Sequence, residues 1–239
     1  MSLSTWSIVG CGYTGTALAR RLIAEGHQIV VTRRDPTAAR ELATELGAEG
    51  IALDLAAITI QALPDSIVVC LAPPGADPAA EAANLARFAE PARRLIYVSS
   101  TGVYAHGGGA WVDESWPLEP TTTSGEHRLA FERALPARAV ILRAAGIHGP
   151  GRGIEDRLRT GTYRIVGDGR AHVSRIHVDD LVEAIVLRRA GKGEWPGVDI
   201  IQILASKDPG DAIREIDGFT RAHGRKGENV QRPTSNVQR

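Results

Sequence analysis

The sequence is poor in nearly everything that would mark a secreted, membrane-bound or nucleic-acid-binding protein. Its 239 residues include two cysteines, Cys11 and Cys70, too few for a disulfide framework, and nothing suggests an oxidising compartment. Neither sign of charge is in excess: 28 Lys+Arg balance 28 Asp+Glu, for a pI near 7.1. Without a basic surplus or an aromatic-rich basic stripe, no nucleic-acid partner is expected. No apolar run approaches the ~18 residues of a membrane span, because Pro73 and Pro74 stop the best candidate after Cys70-Leu71-Ala72. The opening Met1-Ser2-Leu3-Ser4-Thr5-Trp6 lacks the charged and apolar regions of a signal peptide. These absences leave the expectation of a cytoplasmic globular protein with no membrane partner and no metal site. They leave its oligomeric state open.

The balance of 43% hydrophobic and 23% charged residues is enough to bury a real core. Two periodicities alternate along the chain. Strand-like apolar runs fall at Ser7–Val9, Gln28–Thr32, Gly50–Leu53, Ser66–Leu71, Leu95–Ser99 and Ala139–Arg143. Helical spacing recurs at Thr16–Ile23, Thr37–Leu46, Pro78–Glu90, Ser124–Leu135 and Asp179–Ala190. Buried strands alternating with amphipathic helices predict an α/β, Rossmann-type doubly wound parallel sheet, with ligands at the carboxyl ends of the strands. Residues 1–150 form this domain in our reading, 151–219 a small, shortened lobe on the substrate side, and 220–239 a disordered tail. Beyond Gly149 a strand pair is expected at Tyr163–Val166 and Val173–Ile176, a last strand near Trp195–Ile201 and a helix at Asp211–Phe219. In the last twenty residues only Ala222, Val230 and Val237 are apolar, too little to offset the entropy of ordering.

Val9-Gly10-Cys11-Gly12-Tyr13-Thr14-Gly15 carries G-x-G-x-x-G between a strand and a helix. Gly10 suits a tight turn, Gly12 close approach of the backbone to a pyrophosphate, and Gly15 close helix–strand packing. The helix start, with Tyr13 and Thr14, offers N–H groups to phosphate. An NAD site expects a carboxylate about 20 residues on, yet the second strand ends in Thr32-Arg33-Arg34. Two guanidiniums suit a 2′-phosphate, so NADP is the expected cofactor and NAD the lesser alternative. A solvated pair of strand-end arginines is the other reading. Cys11 and Cys70 read as small apolar filler rather than a redox pair.

With the glycine loop in place, the chain resembles the extended and atypical short-chain dehydrogenase/reductase superfamily, the group of NAD-dependent epimerases and dehydratases. The other segments that carry the resemblance are Ser99-Ser100-Thr101-Gly102-Val103-Tyr104, Leu142 to Arg152, and His177-Val178-Asp179-Asp180-Leu181. The resemblance implies adenine contact at Asp54, passage of the fourth strand along the cofactor at Ala72 and Pro73, and a cofactor-side position for Ser99. It also puts Gly146 and Ile147 beside the nicotinamide. Asp179 equally reads as a helix cap.

In typical members a Tyr-x-x-x-Lys pair and a serine perform the acid–base step. Here Ser100 takes the serine position, while alignment through Pro120 and Glu132 puts Ser124 at the Tyr position and Arg128 at the Lys position. The i, i+4 spacing keeps both on one helix face. Serine is a far poorer proton donor than a phenol, and arginine does not exchange a proton near neutral pH. Another donor is then needed, and Tyr104 and His148 are the candidates. The resemblance therefore supports two expectations. One is an NADP-dependent oxidoreductase or epimerase-like enzyme with a non-standard site, acting on a nucleotide sugar or other carbonyl compound. The other is a non-catalytic NADP(H)-binding regulator or partner-binding module.

Overall fold

The computed structural model describes residues 3–110, 112–153, 159–162 and 174–188, with the backbone of 198–199. The chain divides into units Met1–Ala205 and Ser206–Arg239, and all described residues lie in the first. The expected strand at Tyr163–Val166, the helix at Asp211–Phe219, the tail from 220 and most of the lobe from 151 lie outside the described residues.

Short β-branched runs form the strands β1 (Thr5–Val9), β2 (Gln28–Arg33), β3 (Glu49–Ala52), β4 (Ile67–Cys70), β5 (Arg94–Ser100) and β6 (Ala139–Ala144). The intervening segments form helices α1 (Tyr13–Ala24), α2 (Pro36–Leu46), α3 (Pro78–Phe88) and α4 (Thr123–Ala134). Local chemistry sets the helix starts. Pro36 and Pro78 occupy first-turn positions, and the side chains of Asp35 and Asp77 accept from Ala38 N–H and Ala80 N–H. Thr122 accepts from Gly125 N–H at the head of α4. Gly47 closes α2 in the left-handed conformation, at φ 66.

The strands form one parallel sheet in the order β3-β2-β1-β4-β5-β6, extended by β9 (Val198–Asp199) beside β6. The order reverses between β1 and β4, which pair through Val9↔Cys70, so the crevice beyond their carboxyl ends is the ligand position of a doubly wound fold. β4 and β6 are buried at every residue, as continuous apolar strands covered on both faces require. Tyr97 stacks on Phe131 with ring centroids 4.6 Å apart, seating α4 against β5.

A two-stranded parallel sheet joins β7 (Gly146–His148) to β8 (Arg175–His177), with His148 opposite His177. The strand Arg175–His177 pairs with Gly146–His148, while Tyr163–Val166, its expected partner, lies outside the described residues. The helix that follows, α5 (Val178–Leu187), begins one residue earlier than expected. Its cap is His177, which accepts from Asp179 N–H, so Asp179 lies inside the first turn rather than capping it. Among the described residues, no helix is long and apolar enough to cross a membrane.

Candidate functional site

The strand register brings most of the candidate residues to one edge of the sheet. Gly10, Gly12 and the start of α1 follow β1; Arg33 and Arg34 end β2; Asp54 follows β3; Ala72 and Pro73 follow β4; Ser99 and Ser100 end β5; Gly146 and Ile147 open β7 after β6.

The three loop glycines do different things. Gly10 sits at φ +75, and a Cβ there would lie 2.7 Å from both Ala72 Cβ and Ala72 N. Its backbone is pinned by Gly10 N–H donating to Thr32 Oγ1 at 3.2 Å and Cys11 N–H donating to Thr32 O at 2.9 Å. A Cβ on Gly15 would press on Cys11 Sγ, Ile8 and Leu71 at 3.1–3.2 Å, so α1 needs glycine to pack on the sheet. Gly12 differs. Among the described residues a Cβ there would meet only Gly10 O, at 3.9 Å, so no described contact requires glycine at this position. What glycine leaves open is the approach to the α1 N-terminus, where backbone N–H groups and the helix dipole favour phosphate. The residues present therefore fit a dinucleotide pyrophosphate.

At the next strand end Arg33 is half-buried and Arg34 exposed. Arg33 Nε is buried and makes no hydrogen bond among the described residues. Its charge acts on Cys11, whose thiol is nevertheless pushed up to about 11, mainly by burial. Burial likewise pushes Cys70 up to about 12, so neither thiol is poised to react near neutrality. Asp54 is exposed and accepts from Ala56 N–H at 3.0 Å, capping a single 3-10 turn. The loop after β4 is tied down by Glu81, a buried carboxylate that accepts from Gly75 N–H at 2.8 Å.

The far side of the crevice is built by β5 and α4. Ser100 Oγ accepts from Gly102 N–H at 3.1 Å, which orients the hydroxyl and leaves its proton available to donate. Ser99 is buried, its Oγ without a hydrogen-bond partner among the described residues. Ser124 is exposed in the first turn of α4. The following residue, Gly125, packs so tightly that a Cβ would collide with the Gly102 carbonyl oxygen and stand 2.8 Å from Pro120 Cβ. The Ser100 turn and the Ser124 turn are thus held against each other. Arg128, one turn further on, is half-buried, and its Nη1 donates to Val98 O at 3.3 Å and Tyr97 Oη at 3.5 Å.

Beneath these residues lies a network the sequence reading passed over. Arg143 and Glu132 have side chains 3% exposed, and Arg143 Nη2 and Nε reach Glu132 Oε2 at 2.7 and 3.1 Å. Arg143 Nη1 donates to Tyr104 Oη at 2.6 Å, with the guanidinium carbon 4.9 Å from the ring centroid. Burial drives the Tyr104 phenol up to about 12, against the opposing pull of Arg143. Burial disfavours the charge on Arg143, but the bonds to Glu132 and Tyr104 prevail and raise its pKa. The signal was available: an arginine inside the apolar run Ala139-Val140-Ile141-Leu142-Arg143 demands a buried partner.

His148 stands apart from that network. Its ring lies 5.3 Å from that of His177, edge to face. The turn after it leans on α1: Tyr13 Oη donates to Pro150 O at 3.1 Å, and Arg152 sits 5.3 Å over the Tyr13 ring. A Cβ on Gly149 would stand 2.6 Å from Tyr13 Oη, so glycine permits this approach. Asp180 is buried nearby, and burial raises its carboxyl above the usual range despite the two histidines.

A glycine loop at the switch point of a doubly wound sheet, with half of its polar rim on β5 and α4, defines a dinucleotide-binding α/β protein with an oxidoreductase/epimerase-like fold. The chain is similar to NAD-dependent epimerase/dehydratase family members, which supports an extended short-chain dehydrogenase/reductase-like relationship. A functionally unknown conserved protein from Silicibacter pomeroyi is 30% identical, with 92% of this chain and 79% of that one covered and a TM-score of 0.68. A proposed NAD-dependent epimerase/dehydratase from Methylobacillus flagellatus is 27% identical over 98% of this chain and 86% of its own, at a TM-score of 0.65. The Bordetella bronchiseptica enzyme WbmG, solved in complex with NAD, shares the fold at 22% identity and a TM-score of 0.65, covering 98% of this chain and 83% of that one. Residues 5–99 also match the family NADP oxidoreductase coenzyme F420-dependent. No curated protein matches the chain by sequence.

Proposed function

We propose that this chain is an NADP(H)-dependent oxidoreductase or epimerase-like enzyme that works without the usual Tyr and Lys. The observation that carries the reading is the open approach at Gly12, beside a strand end that presents Arg33 and Arg34 where an NAD site would present a carboxylate. In this reading Gly10, Gly12, Tyr13, Thr14 and Gly15 hold the pyrophosphate, and Arg33 with Arg34 holds the 2′-phosphate. Asp54 serves the adenine, and Ala72, Pro73, Ser99, Gly146 and Ile147 line the nicotinamide half. The dinucleotide, when bound, supplies hydride chemistry at the end of the crevice near Ser100.

The chain's own residues then divide the remaining work. Ser100 donates its proton as a hydrogen bond to the substrate oxygen, because its acceptor side already takes Gly102 N–H. Ser124 adds a second hydroxyl from the exposed first turn of α4. Arg128 supplies fixed positive charge and no proton. Tyr104 Oη accepts from Arg143 and still carries its proton, but burial pushes its pKa up to about 12, which makes it a weak acid near neutrality. His148 is the proton carrier in this reading, since an imidazole both donates and accepts a proton. The substrate is a carbonyl compound, a nucleotide sugar among the candidates.

Titration with NADPH and NADH tests the cofactor. A charge-assisted contact contributes about 1.5–3 kcal/mol, so NADPH should bind at least about tenfold more tightly, and Arg33→Ala should shrink the gap. Equal affinity for both would remove the NADP assignment. A second reading, a non-catalytic NADP(H) binder that acts as a regulator or partner module, is supported by Ser124 and Arg128 standing in place of the usual Tyr and Lys. NADPH oxidation across a panel of carbonyl compounds and nucleotide sugars separates them: turnover supports the enzyme, tight binding without turnover the binder.

A further inference from the structure

The parallel register of β4 and β5 ends at Cys70↔Tyr97, and the chain of β4 then leaves the sheet through Leu71 to Pro73. Arg128 reaches from α4 to this parting point. Its Nη1 takes Val98 O, the first β5 carbonyl beyond that register, together with the Tyr97 phenol. The same guanidinium also acts electrostatically on Cys70, at the end of β4. Arg128 is thus half-buried in the notch between the two strands, at the end of the crevice where Ser100 and Ser124 also stand.

Such a cation ordinarily finds a carboxylate. Among the described residues, none lies within 4.0 Å of Arg128. Glu132, one turn along the same helix, is committed to Arg143. Glu81, which shares the surroundings of Cys70, is turned onto Gly75 N–H. Both contacts Arg128 makes use Nη1, so no described residue engages the edge formed by Nε and Nη2. That edge is the planar fork that pairs with the two oxygens of a carboxylate. An ammonium in its place could lose a proton or turn about its stem; a guanidinium anchored at one corner presents two fixed donors.

From this geometry we propose that Arg128 is a substrate-recognition residue and that the substrate carries a carboxylate next to its reacting carbon. The Nε–Nη2 edge of Arg128 holds the carboxylate, and Ser100 and Ser124 donate to the neighbouring carbonyl or hydroxyl oxygen. This rests on the cofactor reading above and narrows it: small 2-oxo or 2-hydroxy acids fit the notch, and neutral sugars lack the group that Arg128 is placed to hold.

The test is titration of the NADP-saturated protein with oxamate, oxalate and their neutral counterpart oxamide, on wild type, Arg128→Gln and Arg128→Lys. NADP titration of each protein comes first, so that loss of the cofactor reading shows separately as absent NADP binding. The expected result is millimolar or tighter binding of oxamate and oxalate to wild type, at least tenfold tighter than oxamide. At saturating NADP, Arg128→Gln should abolish the preference for the acids, and Arg128→Lys should restore part of it. An Arg128→Gln protein that binds NADP and retains the acid preference would overturn the proposal. So would a wild type that binds NADP but takes oxamide as readily as oxamate.

Discussion

Replacing Arg143 with methionine removes the cation from the most enclosed polar cluster of the chain and leaves Glu132 where water does not reach it. Glu132 is 6% exposed, and its carboxylate receives all its described hydrogen bonds from Arg143. Breaking a buried pair from one side costs about 3–5 kcal/mol. The variant has one escape, which is to protonate Glu132. From an unfolded pKa of ~4.3, holding a glutamate neutral at pH 8 costs about 5 kcal/mol, and at pH 5 about 1 kcal/mol. In the variant the folded pKa of Glu132 is raised, so this part of its stability is present below ~4.3 and lost as pH rises towards the raised value. Arg143→Met should therefore melt about 6–20 °C below wild type at pH 8, at about 2–4 °C per kcal/mol for a chain of this size. The gap should narrow at pH 5. Adding Glu132→Leu should recover much of the loss at pH 8, because two packed apolar side chains leave no buried charge. Thermal unfolding followed by circular dichroism at the two pH values checks this. A gap that is equal at both, or wider at pH 5, would refute the reasoning.

Gly125→Ala should destabilise by about 1–3 kcal/mol, because its Cβ meets the Gly102 carbonyl and Pro120. Gly47→Ala should cost only the left-handed strain of about 1–2 kcal/mol, since nothing lies within 4 Å; denaturant titration ranks the two. Native Cys11 and Cys70 should resist a thiol reagent at pH 8 and react promptly once unfolded; fast native labelling of both would contradict their burial. Their raised folded pKa values make the associated stability complete below about 8.5–9 and lost as pH rises towards 11–12, so the melting temperature should fall across that range. Tyr104→Phe should lower stability while leaving any turnover within a few-fold, because the phenol serves Arg143; loss of turnover with unchanged melting would make Tyr104 the acid.

The six strands and their doubly wound parallel arrangement were legible because buried parallel strands announce themselves as unbroken apolar runs, as Ile67–Cys70 and Ala139–Leu142 do. The glycine loop was legible for the same kind of reason: its constraint is local. Two things were not. Periodicity cannot show which short strand pairs with which, so the partnership of Gly146–His148 with Arg175–His177 emerged only in three dimensions. Nor did spacing reveal that Arg143 joins Tyr104 to Glu132, since those three residues lie on separate elements. The helix start before Val178 was misjudged by one residue because aspartate is the commoner cap, whereas His177 takes the role here.

The account rests on Gly12 being open for a dinucleotide rather than for the chain's own packing. The most direct measurement is calorimetric titration of NADPH into wild type and Gly12→Ala, with the melting temperature of each recorded beforehand. The expected result is two proteins that melt within about 2 °C of each other, since among the described residues a Cβ at Gly12 meets nothing closer than 3.9 Å, and a variant whose NADPH affinity falls at least about tenfold through obstruction of the pyrophosphate. A Gly12→Ala protein that binds NADPH as tightly as wild type, or a wild type that binds neither NADPH nor NADH, would contradict it.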